Sequence, residues 1–422
     1  MSIHVDSEIG RLRRVLVHRP GREIDRMVPS MMETLLFDDI LFGDGAREEH
    51  DSFRGVLASA GVSVLDPRDL LAEVLASEEP HSQLLLDLET EYGVAREDVR
   101  TLGHLAPGAL ASELIEGMLS ASPDLGRRKI FDLTPLPNYF FQRDPMVILG
   151  NRAVLSSMAT EAREREPLLS GLVVRHHPQF AGLGATFEIE VPPSGAKHHD
   201  PSYPYPTLEG GDVLVMSPEI VCVGVSERTN RRGVEVLAEY LRLEETSFRH
   251  LILVELPRSR SYMHLDTVFT QIDHGACLAH LPVIEPGRAE SAHVYYVDLY
   301  AKELTFAVRP SLLGALADLK LDLEVVPCGG TDRLDQEREQ WTDGANAFAL
   351  APGVILLYHR NRRTFDELAR RGWRIVEAED LLAGKTEVFG QGPTVISLLD
   401  NELSRARGGP RCMTMPIERD SL

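Results

Sequence analysis

The chain has 422 residues, of which 43% are hydrophobic and 26% charged, and its formal net charge is −21. This acidic balance argues against a general nucleic-acid binder or a protein of anionic membranes, because both need cationic surface to meet phosphates. The apolar fraction is typical of a soluble globular protein. The four cysteines form no C-x-x-C pair, and no run approaches the roughly 18 apolar residues of a membrane span. We therefore expect a cytoplasmic protein without disulfides or a zinc site, in which one thiol could be a nucleophile.

One pattern of elements recurs along the chain: two strand-like runs around a Gly or Pro turn, a polar junction, a helix and a further strand. In chain order the copies lie at 14–65 in degenerate form, at 140–175, from Asp212 to the run LILVEL, at 266–326 with a longer middle, and from Phe348 onward. Five such units are enough to close a ring. Hairpins inside the units favour small mixed sheets arranged radially, and a doubly wound parallel sheet remains the structural alternative.

Between the first two copies, the pattern at 66–128 becomes helical. Asp66 is followed by Pro67, which is the order of an N-cap residue and a first helical residue. Apolar residues then recur at helical spacing through DPRDLLAEVLAS, SQLLLDLETEYG, REDVRTLG and ALASELIEGMLSAS. We therefore predict an all-helical insert at 66–128, within an α/β domain formed by 1–65 and 129–422.

The run PNYFFQRDP carries the first polar candidates, Asn138, Arg143 and Asp144, at the end of an aromatic, strand-like run. An acidic residue before proline at a strand end is common as a plain turn former. Taken alone, this run therefore fits a structural role better than a catalytic one.

The run LEGGDVLV places Glu209 and Asp212 around two glycines, immediately before a predicted strand. Glycine permits backbone conformations and a close approach that other residues resist. The turn could therefore project a carboxylate into a cleft. A tight turn that merely carries two acids is an equal alternative.

The run MHLDTVFT contains His264 and Asp266, one residue apart in a strand-like stretch. On a β-strand the two side chains would point to the same face. Two polar side chains on an apolar strand are costly to bury without partners, which slightly favours a functional reading over a His–Asp pair satisfied in the core. A histidine can exchange a proton near neutral pH.

The run RARGGPRCMTMP near the C-terminus contains Cys412, which follows a Gly-Gly-Pro turn. Two nearby arginines, Arg407 and Arg411, would favour the thiolate over the thiol by their positive charge. The other three cysteines lie in apolar strands or at strand ends, where we expect structural roles.

These candidates combine one thiol, one imidazole and several carboxylates. A cysteine protease would have no use for several clustered carboxylates. They are useful if the reacting centre of the substrate is itself cationic, and a guanidinium is the natural candidate because carboxylates grip its planar N–H groups bidentately.

The ordered set of runs NYFFQRDP, EGGD, SERTN, MHLDTVFTQ, WTDGANAF, YHRN and RGGPRCMTMP resembles that of the arginine deiminases, in the guanidine-modifying superfamily, over essentially the whole chain. The resemblance implies an α/β fold, a five-bladed α/β propeller (pentein) of pseudo-fivefold ββαβ units with a helical insert. It also implies hydrolysis of L-arginine to L-citrulline and ammonia through a covalent cysteine intermediate, with no metal or organic cofactor. A homo-oligomer is expected as well.

The resemblance assigns roles to ten residues of this chain. The catalytic positions are matched by Cys412 as nucleophile, His264 as general acid and base, and Glu209, Asp144 and Asp266 as the carboxylates that hold the guanidinium. The substrate-binding positions are matched by Arg163 and Arg228 for the α-carboxylate, Asn138 and Asn346 for polar contacts, and Arg407 on the loop before the nucleophile.

Two features depart from the family pattern. A stretch at about 381–405 makes the segment between YHRN and the cysteine run longer than expected, which affects predictions about the loop before Cys412. The usual FTRDP and CMSMP runs appear as FQRDP and CMTMP, which keep the matched acid and thiol.

Three other functions remain compatible with these residues. An amidinotransferase would use the same thiol and imidazole but pass the amidino group to an amine. A dihydrolase would continue to ornithine. A catalytically silent arginine-binding protein is the alternative from a different class, although it would have no chemical need for the complete set.

Overall fold

The computed structural model describes residues 3–120, 130–189, 205–244 and 246–422, in which the strands form six separate sheets. The strands are Leu12–Leu16 (β1), Ser63–Leu65 (β2), Met118–Leu119 (β3), Phe131–Leu133 (β4), Met146–Leu149 (β5), Arg152–Leu155 (β6), Ala185–Glu188 (β7), Val213–Ser217 (β8), Ile220–Val225 (β9), His250–Glu255 (β10), Phe269–Asp273 (β11), Ala276–Ala279 (β12), His293–Asp298 (β13), Ala307–Arg309 (β14), Glu324–Pro327 (β15), Phe348–Ala351 (β16), Val354–Tyr358 (β17), Arg374–Glu377 (β18), Thr394–Leu398 (β19) and Met415–Arg419 (β20). The helices are Arg22–Asp25 (α1), Gly43–Ser59 (α2), Pro67–Val74 (α3), Glu78–Thr90 (α4), Arg96–Gly103 (α5), Pro107–Glu116 (α6), Arg165–His176 (α7), Arg231–Leu243 (α8), Leu281–Ile284 (α9), Leu312–Asp318 (α10), Arg333–Trp341 (α11), Arg362–Arg370 (α12) and Ala378–Leu382 (α13).

Five of the six sheets repeat one pairing pattern: an antiparallel pair whose inner strand also pairs in parallel with a third strand. The inner strands are β1, β6, β9, β12 and β17. This confirms the repeated ββαβ pattern of an α/β protein. The alternative of one doubly wound parallel sheet is wrong for the described residues, because the hairpins divide the strands among small sheets.

The first sheet joins the two ends of the chain. Strand β1 pairs in parallel with β2 and antiparallel with β20, which lies some 400 residues later. The copy at 14–65 looks degenerate in sequence because the C-terminus supplies its antiparallel strand.

Two strands from the copy at 266–326 join the sheet of the copy that begins at Asp212. The predicted β8, β9, α8 and β10 are confirmed. Strands β13 and β14, from the longer middle of the next copy, then extend this sheet beyond β10, whereas β11, β12 and β15 form a sheet of their own.

The last copy differs from its prediction in the third strand. The predicted strand β18 lies at the sheet edge, and β19 sits between it and β17. All five residues of β19 are buried, whereas β18 is partly exposed, so the more completely apolar strand takes the central position. The stretch at 381–405 that departs from the family pattern therefore contributes a buried strand.

Four of the predicted helices of the segment 66–128 are present as α3 to α6, but the prediction of an all-helical segment is wrong, because Met118–Leu119 forms strand β3 and pairs with β4. Oδ1 of Asp66 accepts a hydrogen bond from the backbone N–H of Arg68 at 3.1 Å, and Pro67 is the first helical residue, as the N-cap pattern predicts. The helices α3 and α7 pack together, and Leu71 of α3 belongs to the same apolar core as Ile148 of β5. The small sheet β3–β4 follows, with residues 121–129 outside the described part.

Two further expectations concern the state of the cysteines and the presence of membrane-spanning helices. All four cysteines are buried free thiols. No helix in the described part of the chain combines the length and apolar character needed to cross a membrane.

Candidate active site

The polar candidates lie in turns that precede the first strand of each repeated sheet. Asp144 precedes β5, the turn of Glu209 leads into β8, Asp266 precedes β11, Asn346 precedes β16 and Cys412 precedes β20. Residues scattered over 270 positions of sequence thus occupy equivalent places in five sheets. The repeated pairing pattern is what gathers them.

Two runs predicted as strands are turns. His264 precedes a 3₁₀ turn at Leu265–Thr267, and Asn138 lies in a turn before β5. The hydroxyl of Thr267 donates to the backbone O of His264 at 2.7 Å, and the backbone N–H of Leu265 donates to Oδ1 of Asp212 at 2.8 Å. The prediction that His264 and Asp266 share a strand face is wrong. Hydrogen bonds from side chains satisfy the backbone groups of this turn, which therefore do not pair with a neighbouring strand.

Gly211 is needed for a close approach between two elements. A Cβ at this position would lie 2.6 Å from the imidazole carbon of His264 and 2.9 Å from Oδ1 of Asp144. No side chain fits there, which confirms the reading of the glycine pair as a site of close approach. Asp212 is buried and accepts from Ser226 Oγ at 2.7 Å as well as from Leu265, so it supports the turn of His264.

Cys412 lies on a small cavity of about 30 Å³. The cavity is lined by Leu36, Asn138, Phe141, Asp144, Arg163, Arg228, Met263, His264, Thr267, Ala406, Arg407 and Cys412. Seven of the ten residues assigned by the resemblance are in this set. The three others, Glu209, Asp266 and Asn346, contact members of it from behind.

His264 is held in its protonated form by carboxylates. Its Nε2 lies 2.9 Å from Oε2 of Glu209, and its Nδ1 lies 3.8 Å from Oδ1 of Asp144. Burial lowers the pKa of His264, but Asp144 and the hydrogen bond with Glu209 outweigh burial and raise the pKa to about 9. Burial likewise acts to raise the pKa of Glu209, but His264 and Arg228 lower it to about 2. The imidazole is therefore a proton donor at neutral pH.

Cys412 is a protonated thiol in this environment, contrary to the expectation that neighbouring arginines favour the thiolate. Burial and the carboxylates of Asp266, Asp144 and Asp343 raise its pKa well above the usual range. The charge of Arg411 is already neutralised, since that side chain is bonded to carboxylates.

The two aspartates of the site share one arrangement. Oδ2 of Asp144 accepts from Arg163 at 2.6 Å, and Oδ2 of Asp266 accepts from Arg411 at 2.7 Å. Oδ1 of each aspartate is buried and has no hydrogen-bond partner in the described part of the chain. Oδ2 of Asp266 also lies 3.7 Å from Sγ of Cys412. One anchored and one free carboxylate oxygen on each aspartate are suited to a cationic ligand with several N–H donors.

Asn346 supports the nucleophile turn rather than the cavity. Its Oδ1 accepts from the backbone N–H groups of Arg411 and Cys412, both at 3.1 Å, and its Nδ2 donates to the backbone O of Asp266 at 3.1 Å. This differs from the predicted substrate contact, because the protein already occupies both ends of the amide. Asn138 lines the cavity, with its Nδ2 donating to the backbone O of Leu35 at 2.8 Å.

Arg163 is engaged differently from its predicted substrate contact. All of its guanidinium nitrogens bond to the protein, chiefly to Asp144 and Glu166. By contrast, Nη1 of Arg228 and both Nε and Nη1 of Arg407 are buried without hydrogen-bond partners in the described chain. These two arginines are the cavity cations with unused donors.

Arg407 forms part of the cavity wall in an unusual backbone conformation. Its φ is 64°, in the left-handed region that L-residues seldom adopt, and its guanidinium carbon lies 3.3 Å from the ring centroid of Trp341. Arg407 and Trp341 also line a larger open cavity of about 870 Å³. Arg407 is therefore shared by the thiol cavity and the wider opening.

Three residues could in principle surround a metal ion. Asp144, Glu209 and His264 bring donor atoms within 4.8 Å of one another. A metal needs the neutral imidazole, whereas these carboxylates keep His264 protonated near neutral pH. The group is better suited to an organic cation.

Sequence reasoning missed two glutamates behind the site. Glu8 bonds to Arg411, and Glu166 bonds to Arg163. The spacing of Arg163 and Glu166, three residues apart, is a usable signal for a pair at a helix start. No local signal points to Glu8, because its partner is 403 residues away.

Comparison with known sequences places the chain in one family. A family model described as arginine deiminase matches residues 33–419. The arginine deiminase of Clostridium perfringens is 34% identical, covering 100% of this chain and 99% of the relative, and that of Mycoplasma capricolum is 36% identical, covering 100% and 98%.

A comparison of structures extends the likeness to the fold. An amidinotransferase from Microseira wollei superposes with a TM-score of 0.55 at 14% identity, covering 100% of this chain and 98% of the other. At this identity the superposition shows a common α/β fold.

Proposed function

The chain belongs to the arginine deiminase family, and we propose that it hydrolyses L-arginine to L-citrulline and ammonia at the cavity beside Cys412. One observation carries the proposal. Two buried aspartates near the thiol, Asp144 and Asp266, each keep a carboxylate oxygen that accepts no hydrogen bond in the described part of the chain. A guanidinium between them would supply the missing donors and offset the negative charge.

The first chemical step is attack by Cys412. Binding of the cationic guanidinium favours the thiolate, because it offsets the carboxylates that hold the thiol in its protonated form, and the thiol proton passes to solvent as the substrate binds. The thiolate then adds to the guanidinium carbon to give a tetrahedral adduct. His264, protonated at neutral pH, donates its proton to the departing ammonia, which leaves a thiouronium bound to Cys412.

The second step is hydrolysis of that intermediate. His264 has lost its proton and can accept one from the attacking water. The hydrogen bond that Nε2 of His264 donates to Oε2 of Glu209, at 2.9 Å, keeps the imidazole in place for both transfers. Collapse of the second adduct breaks its C–S bond, the hydroxyl proton passes to the departing sulfur, and citrulline and the Cys412 thiol are released.

Two arginines are available for the substrate α-carboxylate. Arg228 and Arg407 line the cavity with buried donors that make no hydrogen bond within the described residues. Arg163 retains its place beside the substrate, but we assign it to hold Asp144, since its nitrogens are engaged. Asn138 is assigned as a polar contact on the same wall.

Admission of arginine requires the cavity to enlarge. A volume of about 30 Å³ has room for a water or two and not for an amino acid. Arg407 lines both this space and the larger cavity of about 870 Å³, so we infer that its displacement would join the two.

We further propose that the five repeated sheets form the blades of a closed propeller. The pairing of β1 with β20 supports this arrangement, because it connects the first and last parts of the chain in one sheet. Each turn that carries a site residue lies before the first strand of its sheet. This placement supports an arrangement of the five sheets around one shared axis.

Incubation of the purified protein with L-arginine, agmatine or methylated arginines tests the function directly, with ureido product and ammonia as readouts. Citrulline and ammonia in equal amounts from arginine alone support it. Ornithine with additional ammonia would instead identify a dihydrolase, and turnover only with an added amine an amidinotransferase. Arginine binding without turnover would identify a silent binding protein.

A further inference from the structure

A chain of ion pairs, here called the Glu8 chain, reaches Asp266 from the N-terminal segment. Arg411 donates from Nε and Nη2 to the two oxygens of Glu8, at 3.0 and 3.1 Å, and from Nη1 to Oδ2 of Asp266 at 2.7 Å. Glu8 also accepts from the backbone N–H of Val215 at 3.1 Å. The N-terminal segment, β8 and the Cys412 turn thus meet on one arginine.

A second chain, the Glu166 chain, repeats this geometry at Asp144. Arg163 donates from Nε and Nη2 to Glu166, with contacts of 3.0 and 2.7 Å, and from Nη1 to Oδ2 of Asp144 at 2.6 Å. In both chains the Nε edge of the guanidinium faces a glutamate, and Nη1 faces an aspartate. The two chains come from unrelated parts of the sequence.

All six side chains of the Glu8 and Glu166 chains are buried. Each chain holds two carboxylates and one guanidinium, so its own members carry one excess negative charge if all are ionised. Arg143 and Arg419 also face Glu8, and Glu209 also faces Arg163. An arginine alone would cancel the charge of its aspartate. The glutamate offsets the arginine, and the rigid fork holds the aspartate with one oxygen anchored and one free.

We propose that Glu8 and Glu166 are positioning residues of the reaction: each keeps its arginine from cancelling the charge of a guanidinium-binding aspartate and fixes which carboxylate oxygen faces the substrate. The inference rests on the proposed function, since it needs a cationic substrate. It extends the site to two residues that touch neither substrate nor thiol.

The two glutamates differ in their ionisation. Burial acts to raise the pKa of Glu8, but Arg411 and Arg143 outweigh it and lower the pKa to about 2. At Glu166, burial prevails over Arg163 and raises the pKa to about 7. Glu8 is therefore charged at every working pH, and its substitution is the sharper test.

The test is Glu8→Gln in the full chain, which removes the charge and keeps the size. We expect kcat/KM for arginine to fall about tenfold or more, mainly through KM, because a charged contact is weakened. Alkylation of Cys412 by iodoacetamide without substrate should move to lower pH by about half a unit, because the thiol, which faces Asp266, Asp144 and Asp343, then lies in a less negative site. Glu166→Gln should change kcat/KM and the pH of alkylation in the same directions, but by smaller amounts.

Glu367→Gln is the matched control, since Glu367 pairs with Arg370 and Arg371 on α12. Values for Glu8→Gln equal to those of this control would overturn the inference. A joint loss of turnover and of Cys412 alkylation in Glu8→Gln would also overturn the inference, and so would failure of both glutamine variants to fold. In either case the glutamates would serve the fold alone. Wild-type protein that makes no citrulline would contradict the proposed function, and the alkylation profile would still report on Glu8.

Discussion

Oδ2 of Asp266 lies 3.7 Å from Sγ of Cys412, and this carboxylate, after burial, is the main group that raises the pKa of the thiol. In the function proposed above, Asp266 also binds the cationic substrate, so the same residue would suppress the nucleophile while the site is empty. Such coupling would let the thiolate form when a guanidinium is present to accept its attack.

Substitution of Asp266 by asparagine separates these two effects. We expect Asp266→Asn to speed alkylation of Cys412 by iodoacetamide at pH 7, because a negative charge next to the thiol is lost. Citrulline formation should fall about a hundredfold or more, because the guanidinium loses a charged partner. Slower alkylation together with slower turnover would contradict the coupling.

Removal of the thiol tests the covalent mechanism. Cys412→Ala should form no measurable citrulline, because no other thiol reaches the cavity among its lining residues. Cys328→Ala is the matched control, since Cys328 is also a buried free thiol, and should keep its turnover. Appreciable product from Cys412→Ala would exclude the thiouronium route.

Arg228 is expected to read the substrate α-carboxylate. Arg228→Ala should raise KM for arginine about tenfold to a hundredfold, the loss of one charge-assisted contact, and affect agmatine far less because agmatine has no carboxylate. Steady-state kinetics with both substrates measure the difference. The exposed Arg232 offers a control substitution, and equal effects of Arg228→Ala on both substrates would refute the assignment.

Gly211 tests how closely the site is packed. Gly211→Ala should lower kcat about a hundredfold or more, because the new methyl would lie 2.6 Å from the His264 ring and must displace it. Gly108→Ala is the control, because a Cβ there meets nothing within 4 Å. Citrulline assays and thermal unfolding of both variants check this, and full activity in Gly211→Ala would show that the ring position is not critical.

A second buried histidine should make stability depend on pH. Burial lowers the pKa of His18, but contacts with Asp66 at 3.0 Å and Glu23 at 3.3 Å raise it to about 9. A pKa raised from 6.5 stabilises the fold fully below about 6.5, and the contribution is lost as pH rises through about 9. The free energy of unfolding of wild type minus that of His18→Gln should therefore shrink by about 3 kcal/mol between pH 6 and pH 10. A difference that does not change with pH would contradict the ion pairs.

Much of the fold could be read from local pattern. The copies beginning at Asp212 and Phe348 are predicted element by element, because strand and helix periodicities and turn residues act over short distances. The capped start of α3 at Asp66 is equally local. The pairing of β1 with β20 and the insertion of β19 beside β17 are not local, since strand order depends on which apolar faces meet in three dimensions.

The sequence by itself pointed to seven of the residues that line the cavity, because the thiol, the imidazole and their polar partners lie in short runs whose order along the chain is distinctive. Only the tertiary structure decided what each of them does. Burial and neighbouring carboxylates made Cys412 a thiol rather than a thiolate. Ion pairs across 403 residues bound Arg411 to Glu8, and three donors committed Arg163 to protein carboxylates. Charge and hydrogen bonding depend on distances through space, which the order of residues does not contain.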